Sequence, residues 1–252
     1  MRHISEGKVK MDSHSSTNLH ALVIGIDQYK MPLKTLKNAV NDGKAIYEVL
    51  SEQYGFAVKF LPNASADKAN ILTSIEYFLK LGPEASWVFY FAGHGTVEGE
   101  QGYLLPSDAE KGVLKSFIGI QELLQSCNQS DLDQILIILD SCYSGRGFVR
   151  TESLDNPAPS PDEKRIRQII TAGNPHERVL DGGADTHSLF TGTLLEILSG
   201  WTGTHDKYNQ ITFPKLRDEL AYQIPTKLRA MGYSAISQQP LGGNFLSNIS
   251  MR

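Results

Sequence analysis

The chain has 252 residues, room for one large α/β domain, and its 40% hydrophobic and 21% charged content is that of an ordinary globular protein. A net charge of −4 excludes the basic footprint of a nucleic-acid binder and leaves room for an acidic pocket that takes a cationic group. Two cysteines, Cys127 and Cys142, exclude a disulfide framework and a Cys-x-x-Cys zinc site, and no apolar run is long enough to span a membrane.

Residues 1–18 are polar and lack the apolar core of a secretory signal, so a flexible tail or a purification-type extension is expected there, on a cytoplasmic protein. Leu19 to Ile26 is a short apolar run that predicts a buried strand. Leu36 to Leu50 has helical spacing, Val58 to Leu61 predicts a second strand, and Asp67 to Leu81 a second helix closed by Gly82-Pro83. Trp87 to Ala92 predicts a third strand, Gly102 to Pro106 a hairpin arm, and Ile120 to Cys127 a helix. Gln134 to Leu139 is the strongest strand signal. Thr151 to Glu163, rich in Pro, Ser and acids, predicts a loop, mobile over about 147–165. Arg167 to Ala172 predicts a strand, Ser188 to Leu198 and Phe213 to Met231 helices, and Gln239 to Gly243 a last short strand. Strands alternating with helices imply an α/β fold with a mostly parallel central sheet and helices on both faces, built as one domain over 19–252.

Two motifs follow apolar strands, where open α/β sheets place their sites. Gly93-His94-Gly95 follows one and Asp140-Ser141-Cys142 the other. A free thiol is only a few per cent thiolate at neutral pH, and a nearby imidazole makes it a nucleophile. The same imidazole can later protonate a leaving amine. The N–H groups of Gly95 and Cys142 are candidates for an oxyanion hole. Cys127, at the apolar end of a helix, is expected in the core. His3, His14, His20, His176, His187 and His205 are taken as surface or structural, with His187 the most open because it borders Ser188–Thr191.

Phe89-Tyr90-Phe91-Ala92-Gly93-His94-Gly95 together with Leu139-Asp140-Ser141-Cys142-Tyr143-Ser144-Gly145 resembles the caspase and metacaspase superfamily, peptidase family C14, and within it the bacterial metacaspase and orthocaspase type. Positions 94 and 142 are 48 apart, near the ~50 of caspases. Leu22 to Asp27, Asn38 to Asp42, Tyr103 to Asp108 and Ser188 to Thr191 also fit, so the resemblance spans roughly 20–245. Ala92 stands where members often have Ser, and Tyr143 where metacaspases often have His.

The resemblance implies a caspase-like fold and a cysteine endopeptidase with His94 and Cys142 as its dyad. It also implies that Asp42 and Asp140 line the pocket for the residue before the cut and select Arg or Lys. Asp140 capping its turn, and Asp42 serving a helix first turn, are the plainer alternatives. No cofactor is expected. The acidic cluster that binds calcium in many metacaspases is incomplete in this chain, with Glu98, Glu100 and Asp108 but no paired Asp-Asp, so calcium stays an open alternative. The expected partner is a protein or peptide substrate, with neither nucleic acid nor membrane. An activating partner or small signalling ligand would suit an enzyme held inactive until triggered. Arg146, Arg150, Lys164 and Arg165 are candidate self-cleavage positions. A sensor-effector answering such a ligand, or an interaction module without turnover, are the alternative functions.

Overall fold

A computed structural model describes residues 18–141, 165–173, 186–200, 212–233 and 238–245. Six strands form the main sheet: β1 (Leu19–Gly25), β2 (Ala57–Pro62), β3 (Ser86–Ala92), β7 (Gln134–Asp140), β8 (Ile166–Thr171) and β9 (Leu241–Asn244). Their spatial order is β2-β1-β3-β7-β8-β9. All pairings are parallel except that of β8 with the edge strand β9. A three-stranded antiparallel unit, β4 (Gly95–Glu98), β5 (Gln101–Leu104) and β6 (Ile118–Gly119), stands beyond the end of β3.

The central strands β1, β3 and β7 are apolar on both faces because both faces are covered. Leu22 and Ile24, Trp87, Phe89 and Phe91, and Ile135, Ile137 and Leu139 point to one side. There they meet α2 (Lys68–Leu79) and α3 (Ile120–Gln129). Ala21 and Val23, Val88 and Tyr90, Ile138 and Ile170 point to the other. They pack on α1 (Ala39–Glu48), α4 (Leu189–Leu198) and α5 (Phe213–Ala230). Each helix buries the stripe that its spacing dictates. On α2 this is Ile71, Ile75 and Phe78, and on α5 it is Leu216, Leu220, Ile224 and Leu228. Asp67 caps α2 by accepting from Asn70 N at 2.9 Å.

Four details differ from the sequence expectation. The first helix begins at Ala39 rather than Leu36, because Asp27 holds the approach: its carbonyl takes Leu36 N at 2.9 Å and its Oδ1 takes Ala39 N at 2.8 Å. That helix then continues as a wide π-helical turn, Val49–Gln53. The hairpin arm is longer than expected and starts at Gly95, directly after His94. Asn18, expected in the tail, already bonds at the start of β1, its carbonyl accepting from Ser86 N of β3 at 2.7 Å. Residues 1–17, and 147–164 of the expected mobile loop, lie outside the described residues.

Candidate active site

The carboxyl ends of β1, β3 and β7 lie side by side. Gly25 pairs with Ala92, and Ala92 with Asp140. Gly93 N then donates to Asp140 O at 3.2 Å. His94 and Cys142 thus each follow by two residues a pair in register at neighbouring strand ends. Cys142 itself lies outside the described residues, as do Arg146, Arg150 and Lys164; the adjoining Ser141 is buried. Arg165 stands immediately before β8, exposed, with Asp131 at 3.5 Å and Ile166 N already bonded to Asp133 O at 2.6 Å.

His94 is held on three sides. Its backbone N–H donates to the Tyr29 hydroxyl at 2.7 Å, and its carbonyl accepts from Leu105 N at 3.0 Å. Its Nε2 lies 2.7 Å from the Lys34 carbonyl. A carbonyl can only accept, so Nε2 carries the hydrogen, which leaves the lone pair of the neutral ring on Nδ1. The Tyr29 ring lies 4.7 Å from the imidazole, centroid to centroid. Gly93 permits this approach, because a Cβ there would sit 2.5 Å from the Tyr29 hydroxyl. Since Leu105 and His94 form a hydrogen-bonded pair, alternation along the antiparallel ladder makes Gly95–Leu104 a non-bonded pair. The Gly95 N–H is therefore turned away from β5. Tyr29→Phe keeps the ring and removes the hydroxyl. It is expected to lower kcat/KM about fivefold, the worth of about 1 kcal/mol for one neutral hydrogen bond, at nearly unchanged melting temperature. An unchanged kcat/KM would show that this tether does not position His94.

A second cluster lies on the α1/α4 face. Asp42, in the first turn of α1, and Asp140, at the end of β7, are both buried. Among the described residues, Ser188 joins them. Ser188 donates its backbone N–H to Asp42 at 3.2 and 3.3 Å and its hydroxyl to Asp140 Oδ2 at 2.5 Å. Ser188 also caps α4, its Oγ accepting from Thr191 N at 2.9 Å. The Thr191 hydroxyl donates to Asp140 Oδ2 at 2.6 Å and lies 2.6 Å from the Tyr90 hydroxyl. Burial, then the charges of Asp140 and Asp42, push the Tyr90 phenol well above its ordinary range. His187 Nδ1 lies 2.7 Å from Asp42 Oδ1. Burial holds that imidazole below its ordinary value.

The two carboxylates singled out in the sequence therefore share one hydrogen-bonded network. Tyr29, Lys34, Tyr90, His187, Ser188 and Thr191 were not assigned roles by sequence reasoning. Lys34 acts through its backbone, which no side-chain pattern can signal. His187, expected as surface or structural, contacts Asp42 directly. The one signal available was its place beside the capping Ser188.

Cys127 lies on the buried face of α3, and burial pushes its thiol up to about 12, so it stays protonated and inert. Among the described residues no group of three or more His, Cys, Asp or Glu could hold a metal ion. Asp108 accepts from Lys68 N at 2.8 Å instead. No helix among the described residues is long and apolar enough to cross a membrane.

This sheet order, with a histidine and a cysteine motif at adjacent strand ends, defines a caspase-like α/β protein. The family model for the caspase domain, of peptidase family C14, matches residues 18–240, and the chain belongs to that family. The fold is similar to a crystal structure of a Geobacter sulfurreducens protein, with TM-score 0.63 and 16% identity over 90% of this chain and 92% of that one. It is also similar to the Drosophila initiator caspase Dronc, with TM-score 0.58 and 8% identity over 90% of this chain and 79% of that one. No curated protein matches the sequence.

Proposed function

We propose that this protein is a cysteine endopeptidase that cleaves after Arg or Lys and rests inactive until triggered. The observation that carries it is the placement of His94. Its Nε2–H is tied to the Lys34 carbonyl, and it stands at a strand end in register with the one that leads into Cys142.

In this mechanism His94 Nδ1 takes the Cys142 thiol proton and the thiolate attacks the scissile carbonyl. The Gly95 and Cys142 N–H groups receive the negative oxygen. As the C–N bond breaks, His94 returns the proton to the amine, and water attacking the thioester releases the acid. A substrate guanidinium or ammonium lodges against Asp42 and Asp140, whose burial makes an uncompensated charge expensive and an opposite charge welcome. Cutting within the segment after Cys142 would be one trigger. Arg150 and Lys164 suit it better than Arg146, near the nucleophile, or Arg165, whose next residue is already in β8.

Peptide substrates with Arg, Lys or Asp before the reporter group test the reading. Cleavage of the first two is expected. Asp42→Asn and Asp140→Asn are each expected to lower kcat/KM on them about 10- to 100-fold, for about 1.5–3 kcal/mol of charged hydrogen bonding. Mass spectrometry of the same incubations reports fragments ending at Arg150 or Lys164. An enzyme that prefers Asp overturns the pocket.

A further inference from the structure

We infer that His187 is the gate of the acidic pocket: its imidazole is the resident partner of Asp42, and an arginine or lysine side chain of the substrate must displace it to bind. This rests on the basic-specific reading above and adds to it a residue that sets how readily the cation is accepted.

Among the described residues, the geometry separates two partners of Asp42 Oδ1. Ser188 N belongs to the capping residue of α4, whose hydroxyl is tied to Asp140 and whose Oγ holds Thr191 N. It cannot leave without unwinding the first turn of that helix. His187 precedes the cap and bonds Asp42 through its side chain, so rotation about its side-chain bonds suffices to release it. Its side chain is 28% exposed, whereas that of Asp42 is 2% exposed. The imidazole therefore stands on the solvent side of the carboxylate, where an incoming cation must approach. A carboxylate only accepts, so Nδ1 carries the hydrogen in this bond.

The charges around His187 make the gate sensitive to pH. Asp42 on α1 touches it; Asp140 on β7 and the Tyr90 phenol on β3 face the same network through Ser188 and Thr191. Asn41 on α1 brings an uncharged amide, bonded to Thr186 O at 2.7 Å. Neutral imidazole gives the Asp42 carboxylate a single N–H donor, whereas imidazolium adds the attraction of opposite charges to the same bond and so holds the carboxylate more tightly. Because burial lowers the proton affinity of His187, the ring is neutral at neutral pH and charges only in acid. Substrate affinity should therefore fall as pH falls through that titration.

Two measurements test the gate. In the first, KM and kcat on an Arg peptide are followed from about pH 8 to about pH 5 for wild type, His187→Ala and His187→Gln. The expected result is a KM rise of about tenfold in acid for wild type and less than twofold for both variants, with a kcat profile common to all three. Glutamine keeps a neutral donor near Asp42, so it reports on gating even if the alanine variant folds poorly. In the second, NMR of the Cys142→Ala chain follows the His187 ring resonances as agmatine is added, and these should shift. A parallel KM profile in all three proteins, or agmatine binding that leaves His187 unmoved, overturns the gate while leaving the basic pocket standing. No cleavage after Arg or Lys together with no agmatine binding overturns both.

Discussion

Cys142→Ala and His94→Ala are each expected to lower kcat/KM by at least about a thousandfold, and the double variant by no more than the worse single one. Two groups that act as one unit lose their whole contribution when either is removed, so the losses do not add. Without the imidazole the thiol is only a few per cent ionised near neutrality and the leaving amine has no proton donor. The His94 variant should remain folded. The bonds that anchor this residue in the chain, Tyr29 Oη to its N–H and its carbonyl to Leu105 N, are made by the backbone and survive the substitution. Among the described residues, the side chain loses its bond to the Lys34 carbonyl and its contact with Tyr29. The measurement is peptide cleavage beside a thermal melt. More than a tenth of wild-type turnover in either folded variant would sink the dyad.

The parts of this site that were legible in the sequence are those that need local pattern. Apolar runs ending in Gly93-His94-Gly95 and Asp140-Ser141-Cys142 marked strand ends, because a buried parallel strand has no polar face and stops where polar chemistry starts. Asp42 was visible only through the resemblance of Asn38 to Asp42 to a family motif, since an acid in a helix first turn is commonplace. Strand order was not legible: strands apolar on both faces carry no phase that says which neighbour lies where. β4 and β6, four and two residues long, fall below any periodicity signal. The contacts that unite the site are farther still in sequence. His187 and Ser188 meet Asp42 across 145 and 146 positions, and Ser188 meets Asp140 across 48. A Ser that caps a helix is ordinary. That its N–H and hydroxyl also join two buried carboxylates is a property of how α4 packs over β7 and α1, which no local rule supplies.

Arg167→Ala and Arg167→Met are each expected to destabilise the fold by about 3–5 kcal/mol, a larger loss of stability than the active-site variants should show. Sequence pattern placed Arg167 at the start of a strand and nothing more, yet it is 1% exposed. Its partners are backbone carbonyls. Nε donates to Cys127 O at 3.1 Å, Nη2 to Leu132 O at 2.7 Å and Ser130 O at 3.1 Å, and Nη1 to Ile166 O at 3.2 Å and Asp133 O at 3.4 Å. The planar fork thus gathers the turn between α3 and β7 and fastens it to β8. Burial lowers the affinity of the guanidinium for its proton, but arginine remains charged, and the ring of carbonyl dipoles compensates its lost hydration. Alanine leaves both a cavity and unsatisfied carbonyls, whereas methionine fills the space and leaves the carbonyls. If the two variants cost the same, the lost hydrogen bonds dominate; if methionine recovers most of the loss, the cavity does. Lysine keeps the charge without the fork and should fall between wild type and alanine. Urea midpoints at constant slope measure these differences. Arg167 pairs with Ile135, near the start of β7, and Asp140 lies at its far end, roughly 17 Å away at about 3.3 Å per residue. Each folded variant should therefore keep kcat/KM within about twofold of wild type at low temperature. An unchanged urea midpoint for both Ala and Met would show that the turn before β7 is held by its own bonds, such as Ser130 N to Cys127 O, rather than by the buried guanidinium.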